Sequence, residues 1–134
     1  MYTFPLIPFR YSKTATVAIM IIVLCLIPSD EFSKLGVQIS FADIIVHFIM
    51  FFTFSAALVY DITRKRTNPL SILQTSFITF ILSLALAAST ELLQHFITPL
   101  HRTGSITDLV FDLLGTLSGI AFMLAIRRIF APAT

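Results

Sequence analysis

The chain has 134 residues, of which 57% are hydrophobic and only 12% are charged. A soluble domain of this length needs a more polar surface than these residues provide, so the composition indicates a membrane protein. The formal net charge of +2 is too small to indicate a nucleic-acid-binding protein, and no nucleic-acid partner is expected. The single cysteine, Cys25, excludes an intramolecular disulfide.

Four apolar stretches follow one another along the chain and predict an all-α fold, a four-helix bundle in the membrane. Their lengths are close to the roughly 20 residues that a spanning helix needs. None shows the short alternating pattern of a transmembrane β-barrel. The predicted helices lie at about residues 11–28, 43–61, 70–98 and 107–127, within one domain covering residues 1–134.

Most of the basic residues lie in three segments at the ends of the predicted helices. Arg10 and Lys13 precede or begin the first helix, residues 64–66 lie between the second and third, and Arg127 and Arg128 end the fourth. Four spans place these segments, which hold seven of the nine basic residues, on one side of the membrane. Because cytoplasmic loops are enriched in Lys and Arg, we expect a multi-pass protein of the bacterial inner (plasma) membrane with both termini cytoplasmic.

Two nine-residue segments are similar to each other: SFADIIVHF at residues 40–48 and SITDLVFDL at residues 105–113. Each has Ser three residues before Asp and a polar residue four positions further on, at the start of a helix predicted to run inward. Internal repeats of this kind are typical of membrane proteins, and here they would relate two helical hairpins. Chance similarity is the alternative for so short a match.

Polar residues that are costly in lipid fall at a single predicted depth. At 1.5 Å per residue, Asp43 and Asp108 lie near the outer ends of their helices, and Glu91 lies roughly 10 Å below the outer end of the third. Ionisable groups in a membrane normally face the bundle interior and find partners there, so we expect one outward-facing polar pocket. The candidate binding residues are Asp43, His47, Glu91, Gln94, Arg102, Asp108 and Asp112.

The order and spacing of these residues resemble the VanZ-like family over about residues 41–127. The motif pieces are Asp43-x3-His47-Phe48, Glu91-x2-Gln94 and Arg102-x5-Asp108-x3-Asp112-x2-Gly115-x3-Gly119. Asp112 departs from the family, which usually has Asn there, and so adds a charge or a proton. The resemblance implies a small four-helix inner-membrane protein whose family namesake is associated with resistance to the glycopeptide teicoplanin. It implies no particular reaction.

Several of these residues also have structural interpretations. Asp43 and Asp108 each follow a serine at the spacing of a capping box, and an acid suits the first turn of a helix. His47 can be explained as a hydrogen-bond donor to Asp43, four residues earlier. Asp112 is a full turn deeper than a capping residue, and Glu91 interrupts an otherwise apolar helix, so a functional role is favoured for both.

A metal site is the weaker interpretation of the same pattern. Asp43/His47 and Glu91/His95 are i, i+4 pairs of metal-ligand type, and Asp112 could complete a set. However, His95 lies outside the motif that carries the resemblance, and the amide of Gln94 within it is a poor zinc ligand. We therefore predict no metal and no other cofactor.

Three functions are compatible with the sequence. As a binding protein, the chain would hold an envelope lipid headgroup or a glycopeptide-type ligand and contribute to antibiotic tolerance or envelope maintenance. As an enzyme on a lipid-linked substrate, it would use Glu91 or Asp112 as general acid or base, and Arg102 to stabilise an anion. As a structural protein, it would use the polar residues to hold the bundle together or to dock a partner protein.

Overall fold

Four α-helices form the regular secondary structure of the described residues, which confirms the predicted all-α, four-helix fold. A computed structural model describes residues 11–28, 34, 36, 39–64, 70–97 and 105–130. The helices are α1 (Ser12–Cys25), α2 (Ile39–Thr63), α3 (Ile72–Phe96) and α4 (Ile106–Phe130).

Helices α2, α3 and α4 are long and apolar enough to cross a membrane. Each has 25 residues, a length of about 37 Å, which exceeds the roughly 30 Å of the hydrocarbon layer. Helix α1 has 14 residues, or about 21 Å, and covers only part of that thickness. It ends at Cys25, before the predicted end at residue 28, because the residue preceding Pro28 is disfavoured in helical conformation.

Contacts near the helix ends fix the direction of α1. Thr14, near its start, hydrogen-bonds to Asp61, near the end of α2. Gln94, near the end of α3, donates from Nε2 to the carbonyl oxygen of Cys25, at the end of α1, over 3.4 Å. Helix α1 is therefore antiparallel to α2 and parallel to α3. We name the end of the bundle that holds Asp61 the Asp61 end, and the opposite end the cluster end.

Helices α2 and α4 run parallel with their backbones in contact. The spacing of Gly115 and Gly119 predicts a close helix approach. A Cβ atom on Gly115 would lie 3.0 Å from the backbone nitrogen of Phe52 and would collide with the carbonyl oxygen of Phe48. A Cβ atom on Gly119 would collide with the carbonyl oxygen of Phe52 and the hydroxyl of Ser55. Only glycine, which has no side chain, fits at both positions.

The apolar core joins α1, α2 and α3, and it draws most heavily on α2. Its buried members are Ile21, Cys25, Met50, Phe51, Phe54, Leu58, Ile62 and Ala87. Many other large apolar side chains are exposed, among them Phe77, Phe96 and Ile106. This distribution suits a bundle whose outer surface faces lipid rather than water.

Candidate functional site

A buried histidine and a buried aspartate join α2 to α4 at the cluster end. His47 and Asp112 are 1% and 0% exposed. The Nδ1 atom of His47 lies 2.9 Å from Oδ1 of Asp112, a hydrogen-bond distance. A carboxylate that accepts a bond from one ring nitrogen orients the imidazole and directs its other nitrogen, Nε2, elsewhere. The pair therefore holds an oriented imidazole inside the bundle.

Three further carboxylates surround this pair. Ligand-type atoms of His47, Glu91 and Asp112 lie within 4.8 Å of one another, and the same holds for Asp43, His47 and Asp108. Asp108 is buried, and Asp43 and Glu91 are partly buried. His47 belongs to both sets and so lies at their centre. We name these five residues the polar cluster, and α2, α3 and α4 all contribute to it.

Glu91 also lies beside the start of α4. Its carboxylate is close to the backbone N–H of Ser105, the residue before α4. The hydroxyl oxygen of Ser105 accepts a bond from the backbone N–H of Thr107 over 3.1 Å, so Ser105 caps α4. An acid at the start of a helix is favourable because the free N–H groups there carry partial positive charge. Glu91 therefore places an acid of α3 beside the first turn of α4.

Two carboxylate oxygens of the polar cluster are buried and have no hydrogen-bond partner among the described residues: Oε1 of Glu91 and Oδ2 of Asp112. The hydroxyl oxygen of Thr116, one turn further along α4, is also buried and has no hydrogen-bond partner among the residues that the structure describes. A buried polar atom without a partner costs about 1–3 kcal/mol, and more when it is charged. These oxygens therefore favour a bound group, which could be a ligand, a proton or a cation.

The structure describes two of the three other polar residues from the sequence interpretation. Gln94 is buried, but its side chain bonds to the carbonyl of Cys25 and so ties α3 to α1. His95 is exposed, packs its ring edge-on against Phe96, and belongs to neither metal-ligand set. Arg102 lies outside the described residues.

The helix start that was predicted for capping by Ser40 and Asp43 is wrong. Helix α2 already includes Ile39, so Ser40 lies inside the helix rather than before it, and no acid lies in its first turn. Ser and Asp are tolerated within a helix, so their spacing alone does not fix where the helix starts. Asp43 therefore belongs to the second turn, one turn before His47.

The Asp61 end contains a buried acid that the sequence interpretation did not assign to a site. Asp61 is 0% exposed. Its Oδ2 atom accepts bonds from the backbone N–H of Thr14 over 3.0 Å and from the Thr14 hydroxyl over 2.9 Å. Thr14 is the third residue of α1, so its N–H has no partner within that helix. Asp61 thus caps α1 from another helix, and nothing in the local sequence indicates the pairing.

A stripe of small polar residues follows the buried face of α3. Thr75, Thr79 and Ser83 are each buried, and their hydroxyl oxygens have no hydrogen-bond partner among the described residues. Ser76 and Ser89, on other faces of α3, bond instead to the carbonyl oxygens one turn earlier in their own helix. The four-residue spacing of the stripe is the sequence signal that could have located it.

Two grooves between described residues lie away from the polar cluster. One, of about 510 Å³, lies between α1, α2 and α3 and is lined mainly by apolar side chains such as Leu58, Ile62 and Leu82. A second, of about 480 Å³, lies between α1 and α2 near Lys13 and Ala57. We keep the polar cluster as the candidate site, because these grooves are lined mainly by apolar surface, which suits contact with lipid chains.

Comparison with known protein families finds a match over nearly the whole chain. The family described as VanZ/LLP1 matches residues 1–128, nearly the whole chain. The resemblance stated from the motif residues is thereby confirmed. No curated protein and no solved structure matches the chain.

Proposed function

This chain belongs to the VanZ/LLP1 family, and from that premise we propose that its polar cluster binds the headgroup of an envelope lipid or a glycopeptide-type ligand. The observation that carries this proposal is the convergence of His47, Glu91 and Asp112 from three helices, with buried oxygens left to bond. Such binding would contribute to antibiotic tolerance or to envelope maintenance.

The chemistry of the cluster suits a headgroup rich in hydroxyl and amine groups. Carboxylates accept hydrogen bonds from both, and a bond to a charged acceptor contributes about 1.5–3 kcal/mol. Asp43 and Asp108 lie one turn closer to the helix starts than His47 and Asp112, so a headgroup would meet acids at two depths. Arg102, outside the described residues, is proposed to bind a phosphate or carboxylate of the same ligand.

The surroundings of the cluster suit an amphipathic ligand. Val46, Val110 and Leu114 are exposed apolar residues within a turn of the cluster residues. An acyl chain could lie along them in the bilayer while its headgroup enters between the helices. This is the arrangement that a lipid or a lipid-linked compound would need.

The distribution of basic residues supports the predicted orientation. Lys13, Arg64, Arg127 and Arg128 are at the Asp61 end, because α1 starts there and α2 and α4 end there. The excess of Lys and Arg in cytoplasmic segments favours the Asp61 end as the cytoplasmic one. The cluster end would then face the outer side of the bacterial inner membrane, where envelope ligands are met.

A thermal-shift experiment on detergent-purified protein tests the binding proposal. The probes are phosphatidylethanolamine, phosphatidylglycerol and teicoplanin. We expect at least one to raise the Tm of the parent and of His95→Ala, a matched control outside the cluster. Glu91→Gln and Asp112→Asn should lose that shift while unfolding, without ligand, close to the parent. No shift in the parent, or equal shifts in all four proteins, would contradict headgroup binding.

The oriented imidazole favours a second function, acid–base catalysis on a lipid-linked envelope substrate. A histidine held by a carboxylate is a common arrangement in acid–base sites. Here Glu91 would act as general acid or base, with Asp112 as the alternative, and Arg102 would stabilise the anion that forms. Catalysis predicts that Glu91→Gln still binds the probe while product release, followed by mass spectrometry, stops. Loss of binding in that variant would favour the binding function instead.

A further inference from the structure

We infer that His47, Glu91 and Asp112 hold a divalent metal cation. The three side chains come from α2, α3 and α4, and each offers a ligand atom within 4.8 Å of the other two. The sequence interpretation started from the pairs Asp43/His47 and Glu91/His95 and added Asp112, whereas this set takes one ligand from each of three helices and leaves His95 out. An imidazole and two carboxylates suit Zn²⁺ or Mn²⁺, while Mg²⁺ and Ca²⁺ prefer oxygen ligands alone.

The His47–Asp112 contact has a spacing that a metal can use. Nδ1 and Oδ1 are 2.9 Å apart. Neighbouring ligands roughly 2.1 Å from a metal are about 3.0 Å apart around an octahedral ion and about 3.4 Å apart around a tetrahedral one, so a tetrahedral metal would require the two atoms to separate slightly. The cation would replace the proton that the two atoms share. Modest adjustment of the Glu91 side chain would bring in the third ligand.

Buried oxygens without partners are the independent support for a cation. Asp112 is 0% exposed, and its Oδ2 atom has no partner among the described residues. Oε1 of Glu91 is also buried, and it too has no hydrogen-bond partner among the residues that the structure describes. Removing carboxylates from water is costly unless an opposite charge lies close by. A divalent cation compensates two carboxylates at once.

The remaining acids of the cluster, Asp43 and Asp108, also lie near His47. Ligand-type atoms of the three residues are within 4.8 Å of one another. In the proposed site, one of these carboxylates accepts a hydrogen bond from the His47 ring nitrogen that does not bind the metal. Metal-bound histidines usually donate from their second nitrogen to such a group, which fixes the ring. Three protein ligands also leave coordination positions open, and an oxygen of a lipid phosphate or hydroxyl could fill one. That last step rests on the proposed headgroup binding, whereas the metal site itself does not.

Metal content and metal affinity of the purified full chain test the inference. Protein stripped with EDTA is incubated with Zn²⁺, Mn²⁺ or Mg²⁺, separated from free metal by gel filtration, and analysed by mass spectrometry. We expect about one Zn²⁺ or Mn²⁺ per chain in the parent and in His95→Ala, and a higher Tm than in the stripped protein. Glu91→Gln and Asp112→Asn should bind at least 10-fold more weakly, since even outer partners contribute that much.

Cobalt spectroscopy keeps the test decisive if those variants do not fold. Co²⁺ added to the stripped parent should give visible absorption bands that added Zn²⁺ removes and that His95→Ala retains. Absence of those bands and of bound metal in the parent overturns the inference. So does unchanged affinity in folded Glu91→Gln and Asp112→Asn.

The same preparations separate the metal from the headgroup. Ethanolamine that raises the Tm of metal-free parent, where no metal does, assigns the cluster to an amine. That outcome overturns the metal and supports headgroup binding. Bound metal with no shift from any lipid or teicoplanin probe supports the metal and contradicts headgroup binding.

Discussion

Each end of the bundle buries an aspartate that forms a hydrogen bond to another helix, but the residues around the two aspartates differ. Asp61 accepts two bonds from Thr14, a backbone N–H and a hydroxyl at the start of a helix. Asp112 bonds to an imidazole and lies in a group with three other acids nearby. The first arrangement needs one acid to complete a helix, whereas the second collects more charge than helix packing requires.

An unpartnered oxygen alone does not separate these two regions. Oδ1 of Asp61 is buried without a hydrogen-bond partner among the described residues, as is Oδ2 of Asp112. The difference is that atoms of metal-ligand type from three helices surround Asp112, while the described partner of Asp61 is a single threonine. The neighbours of a buried acid, rather than its burial, distinguish a candidate site from a structural cap.

The largest expected effect on stability is at the Asp61 end. Asp61→Ala should lower the free energy of unfolding by about 2–3 kcal/mol, because two donors of Thr14 lose a charged acceptor and stay buried. Chemical unfolding in detergent, followed by circular dichroism, measures the change. Thr14→Val, which removes only the hydroxyl bond, should cost about 1 kcal/mol. A cost near zero for Asp61→Ala would show that Asp61 does not cap α1.

A methyl group between α2 and α4 should disturb the cluster end selectively. Gly115→Ala places a Cβ against the carbonyl oxygen of Phe48, and overpacking of this kind costs about 1–3 kcal/mol. We expect His47 and Asp112 to move apart and the ligand-induced Tm shift to fall. Ala57→Gly, on the part of α2 near α1, is the matched control for a one-methyl change. A full ligand response in Gly115→Ala would show that the cluster does not depend on this contact.

Asp112→Asn should separate stability from ligand response. An amide oxygen can still accept a bond from His47, and a buried charge is removed, so the free energy of unfolding should change by less than about 1 kcal/mol. The metal or headgroup response should nevertheless be lost. A loss of stability greater than that of Asp61→Ala would reverse the comparison, making the cluster the structural end.

The smallest expected effect concerns the stripe on α3. Thr79→Val removes a buried hydroxyl that has no hydrogen-bond partner in the described part of the chain. Stability should therefore stay the same or rise by up to about 1 kcal/mol. Ser76→Ala, which removes a bond within the helix, is the control, and it should cost a few tenths of a kcal/mol. A marked loss in Thr79→Val would mean that its hydroxyl bonds to water or to another group.

The helices, and the shared level of Asp43, His47, Glu91, Asp108 and Asp112 along them, were predictable because both depend on local properties. Apolar run length gives the helices, and a fixed rise per residue gives the level along each helix. The partners were less predictable. Spacing within one helix pairs His47 with Asp43, whereas the structure bonds its Nδ1 atom to Asp112, 65 positions away. The end of α1 and the start of α2 also differ from prediction, since capping and proline effects compete with apolar length there.

The similarity of the two nine-residue segments indicates some of the contacts between α2 and α4 that spacing within one helix does not predict. Offset by 65 residues, His47 corresponds to Asp112 and Asp43 corresponds to Asp108, and these four residues meet in the cluster. Parallel helices in register bring corresponding positions together, as α2 and α4 do here. The descent of the two hairpins from one ancestor stays a prediction, but the segments mark the same depth on adjacent helices.

The cap on α1 has a consequence for how the protein is made. Thr14 obtains its hydrogen-bond acceptor from a residue 47 positions later in the chain. Synthesis proceeds from the N-terminus, so α1 is made before Asp61 exists. The acceptor for the first turn of α1 becomes available only once the end of α2 lies beside that turn. The start of α1 therefore reaches its native hydrogen bonding after α2 is in place, although it comes earlier in the chain.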